Sequence, residues 1–552
     1  MSLGTATAEG DLFDVLTTFC DGHVSPDSIF GLLHREKDTL FPDEFFADLY
    51  RAKGRPSVPP SIVATVMVLQ KLMGLSDREA VEHYTYDVRW RYAAGVGSYE
   101  GGDPDRFVHS VLVGMRARLR ESSRPNRVFE VVRDVAGQAG LIGEKRVLDS
   151  TPLYDAVATM DTVTLIRSTL RGLFLATAEG PDMTLEPALR GACTSGDAYA
   201  SNAKPQIDWE DSGARMDLID QLARDARACL LVLDGKEYPP RVQEAGKLLA
   251  AVMGQDLEEN QDGKFRIARR VARDRIISTV DKDTRHGHKT TAHRFDGYKG
   301  HVAIDPDSEI ITATTVTAGN AGDASVAGQL LDERPKEPEA TPPDTPAPVP
   351  GAAEAGSTTS TISATAVFGD SSYGTGPVLD MLGKAGVEAM TRVQPPHARN
   401  GFFTKDAFVI ELDTDTVICP DGVTVAVTRG EKHPELGVAR FGAVCRGCPL
   451  RQWCTTSREG RSIQIGAHER QLAQAREAQQ DPAWKERYRA TRPKVERKLG
   501  HLMRRQHGGR RARVRGQQRV EQDFAWLAAA FNLARLATLR VGRTEQGLWS
   551  YS

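Results

Sequence analysis

The chain has 552 residues, 40% of them hydrophobic and 26% charged, with a formal net charge of −3. These are the values of an ordinary globular protein, too long for a single core, and they exclude a molecule that binds nucleic acid through overall basic charge. No stretch approaches the ~18 apolar residues of a membrane-spanning helix, and the first residues lack the charged and apolar regions of a signal peptide. A cytoplasmic protein is expected.

The charge is uneven along the chain. Residues 485–519 hold fourteen Lys and Arg against two Glu, the asymmetry expected of a segment that meets nucleic acid.

From the N-terminus, residues 40–120 read as helical. Ile62, Val63, Val66, Leu69 and Leu72 recur at helical spacing after Pro59-Pro60-Ser61, and beyond Gly74 the pair Ser76 and Glu79 forms a capping-box signature. Two helices around a short glycine turn suit a helix-turn-helix or a bundle, so residues 1–125 are expected to form a helical domain for DNA binding or assembly. Strand character begins at Arg146-Val147-Leu148-Asp149. Helical patterns return over about 155–270, as an insertion within a unit spanning 140–331. Ile276–Val280 reads as a strand. Tyr298–Ile304 and Ile310–Thr317 read as a hairpin around Asp305-Pro306-Asp307-Ser308.

Residues 332–363 are rich in Pro, Ala, Glu and Thr and read as a flexible linker. Strand, helix and strand are expected at 365–368, 377–384 and 387–391, in a second part of the same unit covering 364–399. Residues 400–465 are β- and turn-rich and contain four of the seven cysteines. From 466 to 552 the pattern is mainly helical.

Asp149 and Asp370 each follow a short apolar strand, where a sheet presents side chains to solvent. Glu496 stands on a basic helix, four residues after Arg492. Two Mg²⁺ (or Mn²⁺) ions roughly 3.5–4 Å apart can activate a water and stabilise a leaving 3′ oxygen in phosphodiester displacement. Such hard cations need oxygen ligands, which two strand-end aspartates and a facing glutamate would provide. Surrounding Lys and Arg would hold phosphates without reading sequence.

The ordered stretches VLDSTPLYDAV (147–157), FDGYKGHVAID (295–305), VFGDSSYG (367–374) and RPKVERKLGHLMRR (492–505), with the closing FNLARL (531–536), resemble bacterial insertion-sequence transposases of the DDE type. The resemblance runs from about residue 40 to 540. It implies an α/β fold: a ribonuclease H-like mixed sheet flanked by helices, with an all-α N-terminal domain, a helical insertion and a β-rich Cys-containing insertion. It also implies Asp149, Asp370 and Glu496 as the metal-holding catalytic triad. Double-stranded DNA, as the element's terminal inverted repeats and a target, would be the partner, bound by a homodimer in the synaptic complex. Many such enzymes carry a Tyr-Arg-Glu-Lys signature on the glutamate helix. Here Arg492 fits, Tyr488 lies one residue early, and Met503 takes the lysine position.

DNA contacts are expected from Arg492, Lys494, Arg497, Lys498, Arg504, Arg505, Arg510, Arg511, Arg513 and Arg515, and from Lys299 and His301 beside the basic stretch DTRHGHK (283–289). Rivals for the first carboxylate are Asp155, Asp281 and Asp283; Glu521 is the rival glutamate. Cys419, Cys445, Cys448 and Cys454 contain one C-x2-C pair, and four thiolates can close a structural Zn²⁺ site, with His433 as a substitute ligand. Cys20, Cys193 and Cys229 read as isolated thiols. Two other classes fit the same residues: a nuclease of related fold without strand transfer, and a non-catalytic, zinc-braced DNA-binding protein.

Overall fold

The computed structural model describes residues 1–6, 14–97, 106–157, 159–290, 293–332, 362–397 and 401–551. Of the linker expected at 332–363, residues 333–361 lie outside the described residues.

The central sheet is built from β1 (Lys145–Tyr154), β2 (Arg285–Thr290), β3 (His293–Ile304), β4 (Ile311–Ala318), β5 (Ala366–Gly369) and β6 (Glu388–Thr391). Its order is β4–β3–β1–β5–β6, with β2 pairing the first half of β3. The contacts of β3 with β1, β2 and β4 are antiparallel, whereas β1, β5 and β6 run parallel. This mixed α/β sheet has the strand order and directions of a ribonuclease H-like core. Its central strands are apolar on both faces (Val147, Leu148, Val302, Ala303, Val367 and Phe368 are buried), as strands covered on both sides must be. The β3–β4 turn forms because the Asp305 carboxylate accepts from the amides of Asp307 (2.9 Å) and Ser308 (2.7 Å).

Ile276–Val280 is not a strand. The Gln255 side chain takes both backbone groups of Ile276, accepting from its amide at 2.9 Å and donating to its carbonyl at 3.0 Å. The β-branched run joins no sheet edge; Ile277 is buried, its carbonyl accepting from the Met160 amide at 2.8 Å.

Among the N-terminal helices, α1 (Ile29–Leu40), α2 (Pro60–Met73), α3 (Asp77–Tyr86) and α4 (Arg127–Gln138) carry most of the packing. The capping box at Ser76 and Glu79 is formed. Every residue of α2 from Pro60 to Gln70 is buried, so it is the centre of a bundle and has no face left to enter a DNA groove.

The insertion after β1 consists of α5 (Thr162–Ala178), α6 (Leu185–Ala192), α7 (Ser212–Leu233) and α8 (Pro240–Asp256), around its own core of Leu165, Leu170, Leu173, Leu222 and Leu249. Cys193 and Cys229 meet in it, with sulfurs 3.7 Å apart, so they are a pair and not isolated thiols.

Beyond β6 lies a second, antiparallel sheet of β7 (Val409–Glu411), β8 (Thr416–Ile418), β9 (Thr424–Gly430), β10 (His433–Arg440) and β11 (Ser462–Ile465), ordered β11–β10–β9–β8–β7. The chain then forms α9 (Pro482–Thr491), α10 (Pro493–Leu502) and α11 (Gln517–Thr538).

Helix α11 is buried almost throughout, from Phe524 to Leu533. It packs on α1, α2 and α4 on one side and on β4 on the other. The Asn532 amide stands in for a strand neighbour at the start of β4, accepting from the Ile311 amide (2.9 Å) and donating to its carbonyl (2.8 Å). One hydrophobic core thus runs from the N-terminal helices through α11 into the sheet.

Candidate active site and nucleic-acid interface

Asp149 lies within β1 and Asp370 follows the last residue of β5. Each stands two residues beyond the paired Val147 and Phe368, so both fall on the same side of neighbouring parallel strands. The loop after Asp370 is tight. Its carboxylate accepts from the Ser372 amide at 2.9 Å, and a Cβ on Gly374 would stand 1.8 Å from the Arg392 carbonyl oxygen.

Pro493 lacks an amide hydrogen and cannot continue α9, but suits the first position of α10. Arg492 sits at this joint. In α10, Val495, Leu499 and Leu502 are buried against the body of the protein and Glu496 is left on the open side. Arg492, with a side chain only 7% exposed, connects the acids: Nη2 is 3.1 Å from Asp149 Oδ1 and Nη1 is 3.5 Å from Glu496 Oε1. A cavity of about 460 Å³ opens here, lined by Asp370, Arg392, Tyr488, Arg489, Arg492 and Glu496. The Tyr488 hydroxyl donates to the Gly369 carbonyl at 3.2 Å and its ring stacks on Trp484, which steadies the wall next to Asp370.

Burial pushes the Asp149 carboxyl up to about 6; Arg492 opposes this and the nearby charge of Asp370 adds to it. Arg492 Nε and Nη1 are buried and make no hydrogen bond, so the guanidinium is held by its ion pairs with Asp149 and Glu496. Among the described residues, no three His, Cys, Asp or Glu side chains are grouped so as to hold a metal ion. The donor chemistry is of the kind Mg²⁺ takes: Asp370 and Glu496 line the cavity, and Asp149, tied to it through Arg492, lies near enough to Asp370 for the two charges to repel.

Apart from Arg492, the expected DNA contacts divide into three sets. Arg504, Arg505, Arg510, Arg511, Arg513 and Arg515 are exposed. Lys494 pairs with Asp307 (3.1 Å) and Arg497 with Glu309, both on the β3–β4 turn. Three others are corrected by their surroundings. Lys498 is buried near the Phe531 ring, and burial lowers its ammonium to about 8. Lys299 turns inward to Asp323 (2.9 Å) and the Ala321 carbonyl (2.8 Å). His301 is buried, with Nε2 2.8 Å from the Thr317 hydroxyl and Nδ1 3.4 Å from that of Tyr373; burial holds it down to about 4. None of the three presents a cation to a phosphate.

The rival acids are used elsewhere. Asp281 is buried, accepting from the Tyr298 hydroxyl (2.7 Å) and the Gly516 amide (2.9 Å). Burial, with Asp281 alongside, raises the Asp155 carboxyl. Asp283 accepts from the Gln517 amide, and Glu521 from the Thr315 hydroxyl. Met503 is buried at the end of α10. Two basic residues of the cavity escaped the sequence reading, Arg392 and Arg489. Arg489 had a signal, since it lies three residues before Arg492 and so on the same helical face.

The four cysteines of the second sheet line one small cavity with Phe408 and Phe441. The Arg461 amide points at Cys445 Sγ (3.5 Å). Burial raises the Cys454 thiol, after which the neighbouring thiols add to the effect against Arg461. His433 bonds Glu435 at 3.1 Å and lines a different cavity, so it is no substitute for a cysteine.

No curated protein and no solved structure matches the chain. Residues 20–118 match the family model of the transposase domain DUF772, and residues 418–537, which include Glu496, match that of the transposase DDE domain. These two matched stretches, transposase domains in chain order on either side of the central sheet, indicate a DDE transposase of an insertion sequence.

Proposed function

We propose that the chain cleaves DNA at the ends of a mobile element and joins the freed 3′ hydroxyl to a second phosphodiester, with Asp149, Asp370 and Glu496 as the metal-holding carboxylates. The observation that carries this reading is the Arg492 link between Asp149 and Glu496, at the rim of the cavity that Asp370 also lines. A divalent cation held by these acids would supply Lewis-acid activation of water and of the leaving oxygen. Arg492 orients the acids, its Nη2 held on Asp149 and its Nη1 toward Glu496. Arg504, Arg505 and the exposed arginines of 510–515 hold the flanking backbone. Synapsis of two ends calls for two copies of the chain.

The test uses duplexes carrying the DNA that flanks the gene, with Mg²⁺. Wild type should nick them and, given a pre-cut 3′-hydroxyl end, join it to a second duplex; Glu496→Gln should do neither. Nicking without joining would favour a hydrolytic nuclease. Full activity of Glu496→Gln would remove that residue from the mechanism.

A zinc ion among Cys419, Cys445, Cys448 and Cys454 is a second, structural proposal. It is supported by the four thiols facing one cavity and by the amide aimed at Cys445. Such an ion would brace the second sheet and take no part in the chemistry.

A further inference from the structure

The helical insertion leaves its last hairpin through KFRIARRVARDR (264–275). Two of these arginines are spent on the fold: Arg266 pairs with Glu258 (2.9 Å) and Arg275 with Asp256 (2.7 Å). Arg269, Arg270 and Arg273 are exposed, and their guanidinium groups have no hydrogen-bond or ion-pair partner among the described residues. A solvated charge run would account for three free arginines on a loop. It would not account for where the loop is fixed.

The Asn320 amide donates to the Arg273 carbonyl (2.9 Å) and to the Asp274 carboxylate (2.8 Å). Its neighbour Gly319 donates to the Gly297 carbonyl (3.0 Å), and a Cβ there would stand 2.9 Å from the Arg285 carbonyl oxygen. The strap is thereby tied to the base of the β2–β3 hairpin, which exposes Lys289 and Arg294. From the other side the stretch 510–515 reaches the same hairpin. The Tyr154 amide donates to the Arg510 carbonyl (2.8 Å), the Ala512 amide to the Tyr154 carbonyl (2.9 Å), and the Tyr154 and Phe295 rings meet at 5.9 Å.

Three basic segments, the strap and the β2–β3 hairpin close in sequence and residues 510–515 far from both, are therefore joined side by side. The acids among them are already engaged: Asp274 by Asn320, Asp281 by Tyr298, Asp283 by the Gln517 amide, and Asp296 by His286 (2.6 Å). Tyr154 lies five residues along β1 from Asp149, roughly 16 Å at strand rise. The belt thus begins at a distance from the cavity that a bound duplex spans in a few base pairs.

We propose that Arg269, Arg270 and Arg273 of the helical insertion grip the phosphate backbone of duplex DNA, extending its track from the carboxylate cavity past residues 510–515 and the β2–β3 hairpin. This rests on the transposase reading and adds a role for the insertion: holding the DNA interior to the cut. Duplex DNA is favoured over an acidic protein because the belt continues the basic segment that follows Glu496.

The experiment measures binding of the full-length protein to a 40-base-pair labelled duplex from the gene's flanking DNA, across a salt series. It compares wild type with triple variants in which all three arginines become Ala or Lys, each checked for folding by its thermal transition. In the Ala variant the slope of log affinity against log salt should fall by about 2–3, with roughly 10- to 100-fold weaker binding at physiological salt; Lys should restore most of both. An unchanged slope in a folded Ala variant, when wild type binds, overturns the proposal. So does a loss confined to a matched RNA duplex. Failure of wild type to bind DNA at all overturns the transposase reading and this proposal together.

Discussion

Nη2 of Arg492 lies 3.1 Å from Oδ1 of Asp149, and the two side chains are only 7% and 14% exposed. This pair joins the break between two C-terminal helices to the central strand of the sheet. Removing the guanidinium leaves Asp149 desolvated with the Asp370 charge nearby. Arg492→Ala should cost about 3–5 kcal/mol, the range for half of a buried pair, as read by urea denaturation. Arg492→Lys should recover part of the stability without restoring DNA cleavage, since an ammonium cannot reach two acids as a planar fork does.

His301 gives the fold a defined acid sensitivity. Burial lowers its pKa from 6.5 to about 4, so between these values the unfolded chain binds the proton that the folded chain refuses. Stability from this residue is complete above pH 6.5 and falls as pH drops toward 4, by an amount on the order of 3 kcal/mol. Replacing His301 by Gln should flatten the stability profile across that window. Equal pH dependence in both proteins would assign the sensitivity to other groups.

Gly374 fixes the loop that carries Asp370. A Cβ there overlaps a backbone oxygen at 1.8 Å, and no side-chain motion can relieve that. Gly374→Ala should lower stability by about 1–3 kcal/mol. It should depress cleavage further than stability alone explains, with no change in the salt dependence of DNA binding.

The cysteine proposal has a direct assay. Purified protein should carry about one zinc per chain by elemental analysis, and Cys448→Ser should lose it together with the thermal stability of the second sheet. Metal-free wild type with an unaltered thermal transition would dispose of the idea.

Asp370 at its strand end, the β3–β4 turn and the capping box could be read from local patterns, because each depends on neighbours a few residues away; Asp149 is not at a strand end, since β1 runs on beside β3 to Tyr154. The DNA-contact assignments on Lys299, His301 and Lys498 needed more. Their burial is imposed by Asp323, Thr317 and Phe531, partners that no spacing rule connects to them. Ile276–Val280 had the composition of a strand but no edge to pair with, and the competing Gln255 side chain comes from a helix, 21 residues before Ile276. Arg392 went unnoticed for the same reason: its place beside Asp370 is set by the pairing of β5 with β6.

Helix α11 touches the N-terminal bundle with one side and strand β4 with the other. A nonsense mutation before residue 517 would strip a wall from both at once. The shortened product could not survive as a folded bundle able to compete with the intact chain. Damaged copies of this gene should therefore fall silent and not act as inhibitors of their full-length relatives.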